Sequence, residues 1–110
     1  MDNYTEKFTC TVCGKVHDSI VSDCCIGKGT LKKLPEILEK YGAKLPFVLC
    51  DVNTYKAAGE KVTAILRENG TEPILHVIQS TEPSPDERTV GEAVMYCPKS
   101  ADFVIGVGGG

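Results

Sequence analysis

The sequence predicts an α/β fold, in which a mostly parallel sheet is flanked by helices and preceded by a short N-terminal hairpin. Three short apolar runs, at residues 45–51, 74–78 and 102–107, have the composition of buried parallel strands. Apolar residues at helical spacing precede the first run and lie between the others. Strands that alternate with helices in this way favour right-handed crossovers within one parallel sheet.

Composition is that of an ordinary globular domain and excludes several classes of function. The 110 residues suffice for one domain, and 42% of them are hydrophobic and 25% charged. A net charge of -3 without a basic cluster argues against a nucleic-acid partner, and no apolar run is long enough to cross a membrane. The polar N-terminus lacks the apolar core of a signal peptide. We therefore expect a cytoplasmic protein with reduced thiols, in which Cys50 and Cys97 behave as small hydrophobic residues.

Cysteines cluster in the N-terminal segment, residues 1–26, which is predicted to be a hairpin with an edge strand. Cys10 and Cys13 form a C-x-x-C turn before Gly14, with His17 four residues after the second cysteine. Thiolates at this spacing can bind zinc, closed by His17 or a later cysteine, or can form a redox pair. The later cysteines follow more closely than in common zinc ribbons, which favours the third alternative, a plain hairpin.

A strand-like segment over residues 18–26 and a Gly-Lys-Gly turn lead into the first helix. Thr30 is its candidate N-cap and Gly42 its end, and Pro35 predicts a kink or break after the first turn. The helix is indicated by apolar residues at Leu31, Leu34, Ile37, Leu38 and Tyr41.

The strand over residues 45–51 ends on Asp51, and the next helix is predicted to begin near Asn53 and Thr54 and to end at Gly70. Its apolar stripe consists of Val62, Ile65 and Leu66. In an open α/β sheet, ligands bind beyond the carboxyl ends of the strands, which is where Asp51 falls. Asp51 is therefore a candidate binding residue, and the alternative is a carboxylate that only caps the helix.

The third apolar run contains His76, which we interpret as a core or edge residue rather than a catalyst. Ser84, Pro85 and Glu87 then form a capping-box pattern for the last helix, which is predicted to end before Pro98. The residues expected to face the core are Val90, Ala93, Val94 and Cys97.

The last nine residues combine a predicted buried strand with the glycines Gly108, Gly109 and Gly110. A backbone without Cβ atoms can turn sharply and bring its N–H groups against a ligand. A helix after these glycines would complete a pyrophosphate site. The alternative is a glycine linker with no binding role.

Four motifs in order carry a family resemblance: Gly27-Lys28-Gly29 before Leu34-Pro35, a strand ending in Asp51, Glu82-Pro83-Ser84-Pro85, and the glycine-rich run over residues 102–110. This order resembles the N-terminal domain of the iron-containing alcohol dehydrogenases and glycerol dehydrogenases. Within that superfamily, Cys13-Gly14-Lys15-Val16-His17 and Asp51-Val52-Asn53-Thr54-Tyr55 are most similar to the sn-glycerol-1-phosphate dehydrogenase branch.

The resemblance implies a Rossmann-like domain over residues 27–110 that binds NAD or NADP and stops at its glycine loop. It places Asp51 at the adenosine ribose and Gly108, Gly109 and Gly110 at the pyrophosphate. The implied substrate is a small phosphorylated polyol, dihydroxyacetone phosphate or glycerol 1-phosphate, and a homo-oligomer is one assembly it allows.

In the family, zinc or another divalent metal is held in a C-terminal domain that this sequence does not include, so we expect the chain to be inactive alone. Two alternative functions stay open at this point. One is the nucleotide-binding part of a 3-dehydroquinate synthase, and the other is a small zinc-binding or interaction module with Cys10 and Cys13 as ligands.

Overall fold

The computed structural model describes residues 8–9, 11–17, 22–80 and 82–108. The chain divides into two compact units, Met1–Leu31 and Lys32–Gly110. In the described part, no helix is both long and apolar enough to cross a membrane.

The first unit contains the predicted hairpin. Strand β1 (Phe8–Thr9) pairs antiparallel with β2 (Val16–His17), and Thr9 lies opposite Val16. The strand predicted over residues 18–26 is wrong for residues 22–26, which are irregular, and residues 18–21 lie outside the described part. A strand forms only where a neighbouring backbone pairs with it, and no described residue pairs with residues 22–26.

The second unit is built on a three-stranded parallel sheet in the order β4-β3-β5. Its strands, β3 (Pro46–Asp51), β4 (Ile74–Ile78) and β5 (Phe103–Gly106), confirm the three predicted apolar runs. The central strand β3 is covered on both faces, so Phe47 and Val48 are 2% and 0% exposed.

The first predicted helix is broken near Pro35, as expected. A short 3₁₀ helix (Thr30–Lys33) precedes α1 (Leu34–Lys40), and Pro35 lies in the first turn of α1, where a missing N–H removes no helical hydrogen bond. The prediction that Thr30 caps the helix is wrong, because its hydroxyl donates to the Gly27 carbonyl at 3.0 Å. The chain leaves α1 through Gly42 at φ +67°, a conformation that favours glycine.

One continuous helical run follows β3: α2 (Val52–Thr54), a π-helical turn (Tyr55–Gly59) and α3 (Glu60–Glu68). The run begins before the predicted start, because Asp51 rather than Asn53 or Thr54 is its N-cap. Val62 and Leu66 are buried, as their spacing predicted. The π-helical turn lies close against β3, since a Cβ built on Gly59 would stand 3.3 Å from Cys50 Sγ.

The last helix, α4 (Glu87–Tyr96), differs from prediction at its start and in its orientation. Asp86 replaces Ser84 as N-cap, with its Oδ1 accepting the Thr89 N–H at 2.8 Å. Val90 and Val94, predicted to face the core, are 51% and 68% exposed, and none of the ten residues of α4, all of them described, is buried.

The orientation of α4 follows from its contact with β4. The Tyr96 ring stacks on the His76 ring, with centroids 4.2 Å apart and planes at 13°. This contact places Glu92 and Tyr96 beside β4, although Tyr96 remains 60% exposed, and it leaves Val94 toward solvent.

Strand β5 was predicted to be fully buried, and this is wrong. It is an edge strand whose residues alternate, with Phe103 and Ile105 half-buried and Val104 61% exposed. The Phe103 ring lies 6.1 Å from that of Tyr41, at the end of α1, so Val104 is on the opposite face. An apolar run indicates hydrophobicity but not which faces are covered.

The amino end of β5 is fastened to the amino end of β3 by Asp102. Its two carboxylate oxygens accept the backbone N–H groups of Lys44 at 2.8 Å and Leu45 at 2.9 Å. These two donors, in that order, lower the pKa of the Asp102 carboxyl below its ordinary value.

Candidate functional site at the carboxyl edge of the sheet

The strand order creates a crevice at one edge of the sheet. The chain passes from β3 to β4 on one side and then crosses to β5 on the other side of β3. The connection that leaves the carboxyl end of β3 runs toward β4 and so away from β5, and the crevice beyond the carboxyl ends of two such strands is the usual ligand position in such sheets. A cavity of about 370 Å³ lies there. It is lined by Leu49, Cys50, Asp51, Ile78, Pro83, Gly106, Val107 and Gly108.

Asp51 has a structural role and also borders this cavity. Its Oδ1 accepts the N–H groups of Asn53 at 2.8 Å and Thr54 at 2.9 Å, and its own N–H donates to Thr54 Oγ1 at 2.9 Å. These reciprocal bonds form a capping box at the start of α2. Among the residues that the structure describes, none donates a hydrogen bond to Oδ2. One oxygen of the carboxylate therefore holds the helix, and the other is available to a ligand.

Glycine backbone forms the β5 side of the same cavity. Cβ atoms built on Gly106 and Gly108 would meet no described atom within 4 Å, so a ligand can approach this backbone closely. The Val107 N–H donates to the Leu49 carbonyl at 2.9 Å, which extends the β3–β5 pairing past the end of β5. Gly108, a predicted site residue, thus shares the cavity with Asp51, whereas Gly109 and Gly110 lie outside the described residues.

Cys50 forms part of the cavity wall but is buried, with 3% of its surface exposed. Burial and, to a smaller extent, the negative charge of Asp51 raise the pKa of the Cys50 thiol. Its Sγ lies 3.9 Å from the His76 carbonyl oxygen, to which it donates a weak hydrogen bond. A neutral, buried thiol is a poor nucleophile, so Cys50 contributes shape rather than chemistry.

His76 is a packing residue, in agreement with the sequence-based interpretation. Besides stacking on Tyr96, its Nε2 is buried and lies 3.6 Å from Glu92 Oε2, too far for a hydrogen bond. It does not line the cavity that contains Asp51.

No metal centre is present in the part of the chain that the structure describes. Groups of three or more His, Cys, Asp or Glu side chains able to hold an ion are absent among those residues. Cys13 is exposed and Cys10 lies outside the described residues, so zinc binding by this pair remains a prediction. The described part therefore does not fit a catalytic metal.

Two features of the site were missed from the sequence. The pattern Asp51-x-x-Thr54 directly after a strand is a signal for a capping box, and it would have identified Thr54 as the partner of Asp51. Gly106 was taken as part of the strand, and only the pairing of β5 with β3 shows that it faces the cavity.

Comparison with known proteins agrees with this architecture. The profile of the family described as iron-containing alcohol dehydrogenase matches residues 22–110. A glycerol-1-phosphate dehydrogenase [NAD(P)+] of Bacillus velezensis is 30% identical over 93 residues, which are 82% of this chain and 24% of that protein. NADH-dependent butanol dehydrogenase A of Clostridium acetobutylicum is 30% identical over 95 residues, 84% of this chain and 24% of that protein.

A solved structure shows the same fold. Alcohol dehydrogenase from Oenococcus oeni superposes with a TM-score of 0.61 at 23% identity, over 74% of this chain and 22% of that one. The chain thus spans about a quarter of the length of the curated relatives it matches. The α/β, mostly parallel, Rossmann-like fold and the resemblance stated from the sequence are confirmed. The chain belongs to the iron-containing alcohol dehydrogenase family.

Proposed function

We propose that this chain is the NAD(P)-binding N-terminal part of a metal-dependent polyol-phosphate dehydrogenase of the glycerol-1-phosphate dehydrogenase type. The observation that carries the proposal is the shared cavity, which is lined both by Asp51 and by residues 106–108 of the glycine-rich segment. It lies where the strand order reverses, at the carboxyl edge of the sheet. When bound, the nicotinamide supplies hydride transfer.

The residues present fit an adenine dinucleotide. Asp51 Oδ2 accepts hydrogen bonds from the adenosine ribose hydroxyls, since Oδ1 is already occupied by Asn53 and Thr54. The glycine segment would hold the pyrophosphate, because the lack of Cβ atoms at Gly106 and Gly108 leaves room for a close approach to its backbone. Pro83 also lines this cavity.

The substrate is proposed to be dihydroxyacetone phosphate or glycerol 1-phosphate. Support comes from the glycerol-1-phosphate dehydrogenases of Bacillus velezensis and Halalkalibacterium halodurans, which match 82% and 89% of this chain. The catalytic metal and its ligands belong to another part of the intact enzyme, because the described residues provide no such cluster. This part therefore binds cofactor but does not turn over substrate alone.

The test of cofactor binding is a comparison of Asp51 with a matched carboxylate. Asp51→Asn removes the charge that receives the ribose hydroxyls, and charge-assisted bonds of this kind contribute about 1.5–3 kcal/mol. Asp102→Asn is the control, since Asp102 also accepts two backbone N–H groups but lies at the opposite edge of the sheet. Calorimetry with NAD should show weaker binding for Asp51→Asn and parent-like binding for Asp102→Asn.

Cofactor choice gives a second readout of the same site. The negative charge of Asp51 repels a 2′-phosphate, so the parent should prefer NAD to NADP. Asp51→Asn should leave NADP binding unchanged or improve it while NAD binding falls. If both dissociation constants stay at the parent values, Asp51 is only a helix-capping carboxylate and the ribose assignment is wrong.

A further inference from the structure

The Asp51 carboxylate is divided between two tasks by the hydrogen bonds around it. Oδ1 takes both available helix donors, at 2.8 and 2.9 Å, while none of the described residues donates to Oδ2. A carboxylate can rotate about its terminal torsion, so this division needs something that holds the residue in place.

Thr54 contacts Asp51 through both its backbone and its side chain. Its N–H donates to Oδ1 at 2.9 Å, its hydroxyl oxygen accepts the Asp51 N–H at 2.9 Å, and the hydroxyl lies 3.4 Å from the Asp51 carbonyl oxygen. The Thr54 hydroxyl thereby fixes the backbone of Asp51, while the backbone N–H groups of Asn53 and Thr54 hold its side chain. It is half-buried and does not line the cavity itself.

The second aspartate cap of the chain shows that this arrangement is not a necessary result of the sequence spacing. Asp86 and Thr89 have the same Asp-x-x-Thr spacing, and Asp86 Oδ1 accepts the Thr89 N–H at 2.8 Å. There, however, the Asp86 N–H donates to the Ser84 carbonyl at 2.8 Å instead of to a threonine hydroxyl. The capping box is therefore complete at Asp51, beside the cavity, and incomplete at Asp86, at the start of α4.

We propose that Thr54 is a positioning residue for nucleotide recognition: its hydroxyl holds the Asp51 backbone where Oδ1 stays on the helix start and Oδ2 is presented to the adenosine ribose. The inference rests on the proposed function, because it assigns the orientation of the group that binds the ribose. It adds that a residue without ligand contact determines recognition of the ribose hydroxyls.

The experiment compares two ligands that differ only in those hydroxyls, ADP and 2′,3′-dideoxy-ADP. Thr54→Val replaces the hydroxyl by a methyl group at nearly constant volume, and Thr54→Ser keeps the hydroxyl. If the valine variant does not fold, Thr54→Ala is used instead, because it removes the hydroxyl without adding a methyl group. Thr63→Val is the control: Thr63 lies on α3 of the same helical run, and its hydroxyl donates to the Glu60 carbonyl at 2.9 Å. Binding is measured by calorimetry on the intact enzyme that contains this chain, with the thermal melt of each variant recorded.

The expected result is a loss of ADP affinity of about three- to ten-fold in Thr54→Val, the size of one lost hydrogen bond. Dideoxy-ADP binding should be equal in this variant and the parent, Thr54→Ser should restore ADP binding, and Thr63→Val should behave as the parent with both ligands. An equal loss for both ligands would mean that Thr54 only supports the fold, which overturns the proposal.

The remaining outcomes separate this proposal from the proposed function. Parent-like ADP binding by Thr54→Val overturns the positioning role and leaves the nucleotide site intact. Failure of the parent to bind ADP at millimolar concentration overturns the nucleotide site itself, and the role of Thr54 with it.

Discussion

Replacing Gly59 by alanine tests how closely the helical run packs on the sheet. A Cβ at this position would stand 3.1 Å from Tyr55 Cδ2 and 3.3 Å from Cys50 Sγ, both closer than ordinary van der Waals contact. Tyr55 is half-buried and can shift, but Cys50 is 3% exposed and sits in the central strand. The helix gains about 1 kcal/mol from alanine, whereas overpacking a core costs about 1–3 kcal/mol. Gly59→Ala should therefore lower the free energy of unfolding by up to about 2 kcal/mol.

Gly91 is the matched control, because it is also inside a helix but has no described atom within 4 Å of an added Cβ. Gly91→Ala should raise the free energy of unfolding by about 0.5–1 kcal/mol. Urea unfolding followed by circular dichroism measures both changes. A second comparison isolates the contact: in a Cys50→Ala background, which removes the Sγ atom, Gly59→Ala should cost less than in the parent. Stabilisation by Gly59→Ala equal to that by Gly91→Ala would refute the close approach.

Three further predictions concern pH, metal and activity. Asp102 has a lowered pKa in the folded state, so its stabilisation is present above the ordinary carboxyl pKa and is lost as the pH falls through the acid range. Asp102→Asn should thus lower the melting temperature near pH 7, with the difference shrinking toward about pH 3; a constant difference would contradict the assignment. The Cys10→Ser, Cys13→Ser double variant should melt close to the parent, and a loss of more than about 3 kcal/mol would instead indicate a structural metal. The chain alone, assayed with glycerol 1-phosphate, NAD and added zinc, should show no turnover above background, and clear turnover would disprove this.

Much of the fold follows from local pattern, because apolar composition and helix termini are determined by neighbouring residues. Strand β4 and the break at Pro35 are of this kind. The orientation of α4 does not follow from local pattern. Val90 and Val94 form an apolar stripe that is exposed, and the helix instead contacts the sheet through Tyr96, which stacks on His76 of β4. Local pattern also predicted the wrong cap for this helix, Ser84 in place of Asp86.

The candidate site divides in the same way. Asp51 could be predicted because the end of a strand is a local feature and ligand position in α/β sheets follows a general rule. That Asp51 and Gly108 share a cavity depends on β5 pairing with β3, which no local pattern encodes. The role proposed for Thr54 depends on its hydroxyl oxygen accepting the Asp51 N–H. Torsion angles rather than residue types decide whether this hydrogen bond forms.

The π-helical turn at Tyr55–Gly59 has a consequence for insertions and deletions. A π-helical turn contains about one residue more than an α-helical turn, so deleting one residue within it converts the turn to α-helix. Val62 and Leu66, which follow the turn, would then keep their direction toward the sheet. The same deletion between Val62 and Leu66 would rotate Leu66 away by about 100°. We therefore expect this chain to tolerate the deletion of one residue within residues 55–59 better than the same deletion within α3.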